Sequence, residues 1–155
     1  FHFGQKYSLP MKANISDRKG DNIPVFMGSY GVGLSRLVGA VIEANHDQKG
    51  IIWPKEITPW DYNIINLKSG DNKCEKICLD LYKIINKNSL KVIYDDTDER
   101  AGAKLARADL IGLPYQIIIG PKGIKDQLYD LKCRKSGEIS RLSYNELLNF
   151  VQTNK

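Results

Sequence analysis

Three closely spaced glycines followed by an arginine form the run Gly28-Ser-Tyr-Gly-Val-Gly-Leu-Ser-Arg36. Glycine has no Cβ, so a flat ligand can lie directly against the backbone at Gly31 and Gly33. Arg36 stands at the start of a segment with helical apolar spacing, where it can place a permanent cation on a phosphate or a carboxylate. The pattern therefore predicts a strand that enters a helix beside a site for an anionic ligand.

A Gly-x-Gly element after a strand is also typical of dinucleotide-binding folds, but here the rest of that pattern is missing. Gly31-x-Gly33 is followed by Ser35 and Arg36, and the next glycine is Gly39. No acidic residue stands clearly at the end of a following strand, where such folds bind the ribose. A dinucleotide site is therefore disfavoured, and a lone Gly-x-Gly is more often a core strand beside a surface arginine.

The elements around this motif change in kind near residue 60. Before it, the pattern predicts a strand over residues 1–8, a strand from Ile23 into the glycines, and a helix from Leu34 to about Asn45. A stiff connection follows, marked by Trp53, Pro54, Pro59 and Trp60. We therefore expect two domains, residues 1–60 and 61–155.

Strands and helices alternate after Asp61. Strands are predicted at 62–67, 90–94, 115–119, 128–135 and 138–142, and helices at 74–86, 99–111 and from Ser143 onward. Ser143 and Glu146 have the spacing of a capping box, and the last two strands pair as a hairpin. The order β-α-β-α-β-β-β-α implies an α/β fold with a mixed five-stranded sheet flanked by helices.

Composition bounds the class of protein. The 155 residues are 42% hydrophobic and 26% charged, as in ordinary globular proteins, and no apolar run is long enough to span a bilayer. Residues 61–155 carry 16 basic and 13 acidic side chains, a mild excess that suits an RNA-binding face or a lysine-rich surface equally. Cys74, Cys78 and Cys133 form no CxxC pair, and Cys74 and Cys78 stand four apart in a helical apolar pattern, so we expect these two thiols to be buried and no structural zinc to be bound. We expect a cytoplasmic location.

Several short motifs, which occur in the same order along the chain, resemble those of a known family. The glycine run resembles motif 3 of the class II aminoacyl-tRNA synthetases. The words Gly4-Gln-Lys-Tyr-Ser8, Glu43-Ala-Asn-His-Asp47 and Gly50-Ile-Ile-Trp-Pro54 narrow the resemblance to the prolyl-tRNA synthetases. Residues 61–155 resemble the anticodon-binding domain shared by the prolyl, threonyl, glycyl and histidyl enzymes, through the words at 92–96, 99–104 and 108–115.

This resemblance implies an enzyme that forms prolyl-adenylate from proline and ATP with Mg²⁺, then transfers the prolyl group to tRNA(Pro), and that acts as a homodimer. It places Arg36 on ATP as the catalytic cation, Gly31 and Gly33 beside the adenylate, and Ser29 and Tyr30 at the proline pocket. Ser29 stands where some relatives carry cysteine, so no thiol role is expected. Motifs 1 and 2 have no place in 155 residues, so we expect a fragment without activity of its own.

The resemblance also implies that the C-terminal domain reads the anticodon of tRNA(Pro), in which two guanines are shared. Guanine offers a donor edge to carboxylates and an acceptor edge to Arg or Lys. The candidate contacts are Glu99 and Asp109 as acceptors, Arg100 and Lys104 as donors, and Lys132 and Arg134 to base or backbone. Without the resemblance, Asp98 and Glu99 would simply complement a helix dipole, and Arg100 and Lys104 would form a solvated i,i+4 pair.

Three other functions stay open on the sequence. A stand-alone anticodon-type module or accessory subunit without catalysis would not need the intact run from Gly28 to Arg36. Another synthetase of the same subgroup is disfavoured by the wording of that run and of Gly50–Pro54. A generic nucleotide-binding α/β protein would have to bind nucleotide through its second half alone.

Overall fold

The structure is a computed structural model that describes residues 1–154. Its contacts divide the chain into two compact units, Phe1–Val38 and a larger unit that starts at Gly39. We predict a boundary at residues 60–61 from the change in sequence pattern. By contacts, the second unit starts earlier, because the segment 45–53 packs within it. Among the described residues, no helix is long and apolar enough to cross a membrane.

The first unit is built from short strands. Its elements are β1 (His2–Gly4), α1 (Ser8–Met11), β2 (Asn14–Ser16), β3 (Asn22–Pro24) and β4 (Met27–Gly28), with β1 paired to β4 and β2 paired to β3, both antiparallel. The strand predicted over residues 1–8 is wrong beyond Gly4. Gly4 has a φ of +55° and turns the chain, and the buried Ser8 starts a helical turn instead.

Helix α2 (Leu34–Ala44) forms where the apolar spacing predicts it. The N–H of Leu37 donates to the carbonyl of Gly33, so the helix begins directly after the last glycine of the motif. It ends as predicted at Asn45, whose side-chain amide donates to the carbonyl of Val41 at 2.9 Å. A short hairpin follows, made of β5 (His46–Asp47) and β6 (Gly50–Ile51).

The rest of the second unit is an α/β fold, as predicted. Its elements are β7 (Tyr62–Asn66), α3 (Asn72–Lys87), β8 (Val92–Asp95), α4 (Ala101–Ile111), β9 (Tyr115–Ile119), α5 (Pro121–Asp126), β10 (Tyr129–Cys133), β11 (Ile139–Leu142) and α6 (Tyr144–Thr153). The sheet order is β11-β10-β9-β7-β8, in which β9, β7 and β8 are parallel and β10 and β11 are antiparallel. This is the mixed five-stranded sheet that the sequence predicts.

One face of this sheet packs on α3 and α6 to form the main core. The helical apolar stripe of α3 supplies Cys74, Cys78, Leu81 and Ile85, all fully buried, and α6 supplies buried residues opposite them. The predicted capping box of α6 is present between Ser143 and Glu146. The thiols of Cys74 and Cys78 both lie in this core, as predicted. Burial raises the pKa of Cys78 to about 12.

Helix α5 is the element that the predicted order lacks. It begins with Pro121 directly after Gly120, the arrangement that starts many helices, because proline has no N–H to leave unpaired and its φ is already helical. The sequence-predicted order passes directly from the strand at 115–119 to the strand at 128–135 and assigns no element to residues 121–126. The true order is therefore β-α-β-α-β-α-β-β-α.

The connections of the parallel strands decide where a ligand can bind. The chain passes from β7 through α3 to β8 on one side, then returns through α4 to β9 on the other side of β7. Crossovers of this kind are right-handed, so α3 and α4 cover opposite faces of the sheet. The strand order therefore reverses between β7 and β9, and a crevice opens outside their carboxyl ends.

Candidate nucleic-acid interface

A cleft of about 190 Å³ lies where the strand order reverses. It is lined by Leu67, Ile118, Gly120, Lys122, Gly123, Asp126, Leu128, Asp130 and Arg141. The chain passes close to itself here, since a Cβ added to Gly120 would lie 3.2 Å from Cδ1 of Leu67. Open α/β sheets bind their ligands at this topological position, so we take the carboxyl edge of the sheet as the candidate interface.

The loop from β8 to α4 forms the next part of this edge and is held by a network of charges. Arg107 donates to Asp95 and to Glu99, both at 2.7 Å, and also to the hydroxyl of Thr97. Burial acts to raise the pKa of Asp95, but the hydrogen bonds from Arg107 and Thr97 outweigh it and lower that pKa overall. The loop that carries Glu99 is thus fixed before any ligand arrives.

Only two of the residues that we predict to contact the anticodon lie exposed at this edge. Glu99 and Arg100 both lie at the carboxyl edge with exposed side chains, and Asp98 is exposed beside them. Glu99 is already paired with Arg107, a residue that the sequence reasoning missed. The spacing of eight residues between Glu99 and Arg107 is too wide to be recognised as a helical pair, so the sequence held no clear signal for it.

Lys104 does not lie on the surface, where the sequence predicts that it donates to a base. Its side chain is fully buried, and its Nζ donates to the carbonyl of Asn66 at 2.6 Å with Asp95 at 3.9 Å. A buried ammonium with these partners has no surface to offer a base, and the solvated pair with Arg100 is excluded as well. Lys104 instead links the end of β7 to the end of β8, beneath the candidate interface.

Asp109, Lys132 and Arg134 lie together, but at the opposite edge of the sheet. Lys132 pairs in register with Gln116, near the start of β9, because β10 runs antiparallel to it. Asp109 accepts hydrogen bonds from Lys132 and from Gln116. Burial alone would raise the pKa of Asp109, and these two hydrogen bonds lower it overall. The structure therefore does not bring these three residues to Glu99 and Arg100.

Arg134 is buried in a clamp that the sequence reasoning did not foresee. Its guanidinium donates to both oxygens of Asp47 at 2.8 and 2.6 Å, and its Nε donates to the carbonyl of Asp109 at 3.0 Å. With only 4% of Arg134 exposed, its donors are committed to the protein. Arg134 thus joins the β5–β6 hairpin to the end of α4.

The same hairpin packs on α4 without room for side chains. A Cβ on Gly112 would lie 1.8 Å from the carbonyl oxygen of Ile51, and a Cβ on Gly50 would lie 2.3 Å from Cα of Leu110. The indole Nε1 of Trp53 donates to the carbonyl of Ile111 at 3.0 Å. Trp53, the first residue of the predicted stiff connection, is therefore packed on this end of α4.

The glycine motif lies in the first unit. Ser29, Tyr30, Gly31, Gly33 and Arg36 are all exposed, and Tyr30 is 98% exposed. Nothing lies within 4 Å of a Cβ built on Gly31, so the backbone there is open to an approaching group. Arg36 stands in the first turn of α2, as the sequence predicts. Among residues 1–154, no group of three or more His, Cys, Asp or Glu side chains could hold a metal ion.

Comparison with known proteins decides the family. Residues 61–154 match the family model described as "Anticodon binding domain". The chain belongs to the anticodon-binding domain family. The matched residues run from just before β7 to the end of α6, so they contain the whole five-stranded sheet and both of its edges.

Curated relatives extend the likeness beyond the anticodon-binding domain. The chain is 53% identical over 143 residues to "Proline--tRNA ligase" of Maricaulis maris, and 49% identical over all 155 residues to the protein of that name from Caulobacter vibrioides (strain NA1000 / CB15N). These matches cover 92% and 100% of this chain, but only 32% and 35% of the relatives. The chain therefore spans about a third of the length of the relatives that it matches.

Solved structures share the fold of the anticodon-binding domain and the segment before it. A prolyl-tRNA synthetase from Cryptosporidium parvum complexed with L-proline and AMP aligns with a TM-score of 0.72 at 23% identity, over 98% of this chain and 35% of that one. The same synthetase complexed with halofuginone and AMPPNP aligns with a TM-score of 0.69 at 21% identity, over 98% and 33%. At this level of identity the alignment establishes the fold.

Proposed function

We propose that this chain is part of a proline--tRNA ligase, and that its anticodon-binding domain reads tRNA(Pro) at the carboxyl edge of the sheet. The observation that carries the proposal is the fixed loop at 95–100, which presents the exposed side chains of Asp98 and Arg100 at the carboxyl edge of the sheet, after β8. The identities of about 50% to proline--tRNA ligases support the choice of tRNA(Pro).

The chemistry of this edge suits guanine. An unstacked guanine donates from N1 and N2 to a carboxylate and accepts at O6 and N7 from an arginine. Asp98 and Arg100 supply one group of each kind on a loop whose backbone is held by the Arg107 network. Preorganised partners of this kind lower the ordering entropy that binding would otherwise require.

The first unit would serve the other step of the proposed reaction. Activation of proline by ATP needs positive charge on the α-phosphate while pyrophosphate leaves. Arg36 is the cation that we assign to ATP, with Gly31 and Gly33 beside the adenylate and Ser29 and Tyr30 toward proline. ATP with Mg²⁺ as substrate, a homodimeric enzyme and a cytoplasmic location belong to the same proposal, and they rest on the likeness to the synthetases.

Anticodon binding is tested with a fluorescent tRNA(Pro) transcript and a second transcript in which both shared guanines are changed to adenines. We expect the 155-residue chain to bind the second transcript at least tenfold more weakly, since each mismatched base typically costs about 1–3 kcal/mol. Equal affinity for the two transcripts would refute anticodon reading.

A pair of variants tests which edge of the sheet makes the contact. Arg100→Ala should weaken binding by about 1–3 kcal/mol if Arg100 contacts a base. Lys87→Ala removes the same charge from the last turn of α3, at the opposite edge of the sheet, and should change affinity less than twofold. Equal effects of the two substitutions would move the interface away from the carboxyl edge.

A further inference from the structure

A second cavity of about 450 Å³ opens between α3, α5 and α6. It is lined by Lys73, Lys76, Ile77, Ile124, Gln127, Tyr129, Ser143, Tyr144 and Asn145. Helix α5 and the turn after it form the wall between this cavity and the cleft between β7 and β9. Gly123 and Leu128 line the cleft, and the next residues along the chain, Ile124 and Tyr129, line the cavity.

Two tyrosine rings line this cavity. Tyr129 is 5% exposed, and its ring packs edge-on against that of Tyr144, with the ring centroids 6.3 Å apart. Aromatic surface is therefore available to a flat group that enters the cavity.

The polar groups of the cavity favour an anion. Lys73 and Lys76 stand on the first two turns of α3 with exposed side chains. Helix α6 begins at the same cavity, and its capping box leaves the N–H groups of Tyr144 and Asn145 without an intrahelical acceptor. The carboxylate of Glu146 is already bonded to Ser143.

We propose that this cavity holds one nucleotide of the RNA that the anticodon-binding domain binds, an inference that rests on the proposed function. Its phosphate lies between Lys73, Lys76 and the start of α6, and its base packs against Tyr144 and the apolar side chain of Ile77. Aromatic rings beside lysines are the usual means of holding single-stranded nucleic acid without reading its sequence. RNA is favoured over a free nucleotide because the cavity is separated only by α5 from a cleft at the carboxyl edge of the sheet, the edge along which we place the anticodon.

The test compares two double variants on one helix. Lys73→Ala with Lys76→Ala should raise the Kd for the tRNA(Pro) transcript at least fivefold. It should also make the plot of log K against log salt less steep by about 1, because phosphate contacts set that slope. The matched control, Lys83→Ala with Lys87→Ala, removes the same charge from the other end of α3 and should stay within twofold of wild type.

A single-atom change tests the hydroxyl of Tyr129. Tyr129→Phe keeps the ring and its packing, and should weaken binding of the transcript two- to fivefold with no change in the thermal unfolding midpoint. In all of these variants, discrimination against the transcript with altered guanines should be unchanged, because the cavity is not where we place the reading of the guanines.

The outcomes separate the two proposals. If the wild-type chain does not distinguish the two transcripts, the anticodon proposal fails. If it does distinguish them but the two double variants bind alike, the cavity proposal alone is overturned. AMP is a further probe, and saturable shifts of the Tyr144 and Asn145 amide signals with AMP but not with the transcript would make the occupant a small nucleotide and would likewise overturn it.

Discussion

Arg134 and Asp47 form an ion pair in which the guanidinium is buried and the carboxylate is partly exposed. The pH dependence of unfolding shows how much the charge of Asp47 stabilises the fold. Asp47 is partly exposed, and its hydrogen bonds from Arg134 hold its pKa well below the usual range for aspartate. A carboxylate with a depressed folded-state pKa stabilises the fold above its unfolded pKa of about 3.9, and that stabilisation is lost as the pH falls toward the folded-state value.

Asp47→Asn should therefore lower the free energy of unfolding at pH 7, and its difference from wild type should shrink as the pH falls from about 4 to 2. Urea titrations at several pH values measure this. Asp126→Asn serves as the control, since Asp126 is exposed and has no ion-pair partner among the described residues. A difference that stays constant from pH 7 to pH 2 would show that the Asp47 charge does not stabilise the fold.

Lys104 gives a second prediction at this scale, because the structure assigns it a role in stability. Lys104→Met keeps the length of the side chain but leaves the carbonyl of Asn66 without its donor, so we expect a loss of about 1–3 kcal/mol in unfolding free energy. Affinity of the folded variant for the transcript should stay within twofold of wild type. A large loss of affinity at unchanged stability would contradict this role.

The candidate residues show why charge type alone could not define the site. The sequence correctly predicts that residues 99–104 start a helix after a strand, but the exposure of each side chain depends on which face of α4 meets the sheet. Arg100 points outward, whereas Lys104, one turn later, is buried between β7 and β8. Similarly, the buried position of Arg134 depends on Asp47, which lies 87 residues earlier in the chain.

Among the secondary-structure elements, the docking of the β5–β6 hairpin on α4 gives the sharpest prediction. Gly112 ends α4 with a φ of +76°, and a Cβ there would overlap the carbonyl of Ile51. Gly112→Ala should therefore destabilise the fold by at least about 2 kcal/mol, from the left-handed backbone and the overlap together. Thermal and urea unfolding measure the loss.

Gly102→Ala is the matched control on the same helix. A Cβ at Gly102 meets nothing within 4 Å, and alanine is the better helix former, so this change should be neutral or stabilising by up to about 1 kcal/mol. If both substitutions destabilise equally, close packing against the hairpin is not the cause.

Elements with strong periodicity were predictable, and elements that depend on distant packing were not. The strand over 115–119 has the predicted bounds. Helix α3 extends the predicted range of 74–86 by two residues at its start and one at its end. Both elements bury apolar side chains at regular spacing, and this spacing is visible in the sequence. Helix α5 was missed because its signal is a single glycine–proline step. The hairpin at 46–51 was missed because its two-residue strands are stabilised by α4 rather than by their own pattern.

On the scale of the whole molecule, the two units differ in how much of a site they hold. The second unit contains a complete sheet with a core, and the cleft and the cavity described above are both lined by its residues. In the first unit, the side chains assigned to ATP and proline are exposed. The chain also spans only about a third of its proline--tRNA ligase relatives.

This difference predicts that the 155-residue chain binds tRNA(Pro) but does not activate proline. Stabilising the α-phosphate during adenylate formation requires several preorganised donors in a site that excludes water, and Arg36 on an exposed helix supplies only one of them. We expect no proline-dependent ATP–pyrophosphate exchange from this chain, while the full-length Caulobacter vibrioides relative in the same assay serves as the positive control. Robust exchange by the chain alone would mean that residues 1–38 and their neighbours assemble a working site, and the separation of roles between the two units would then be wrong.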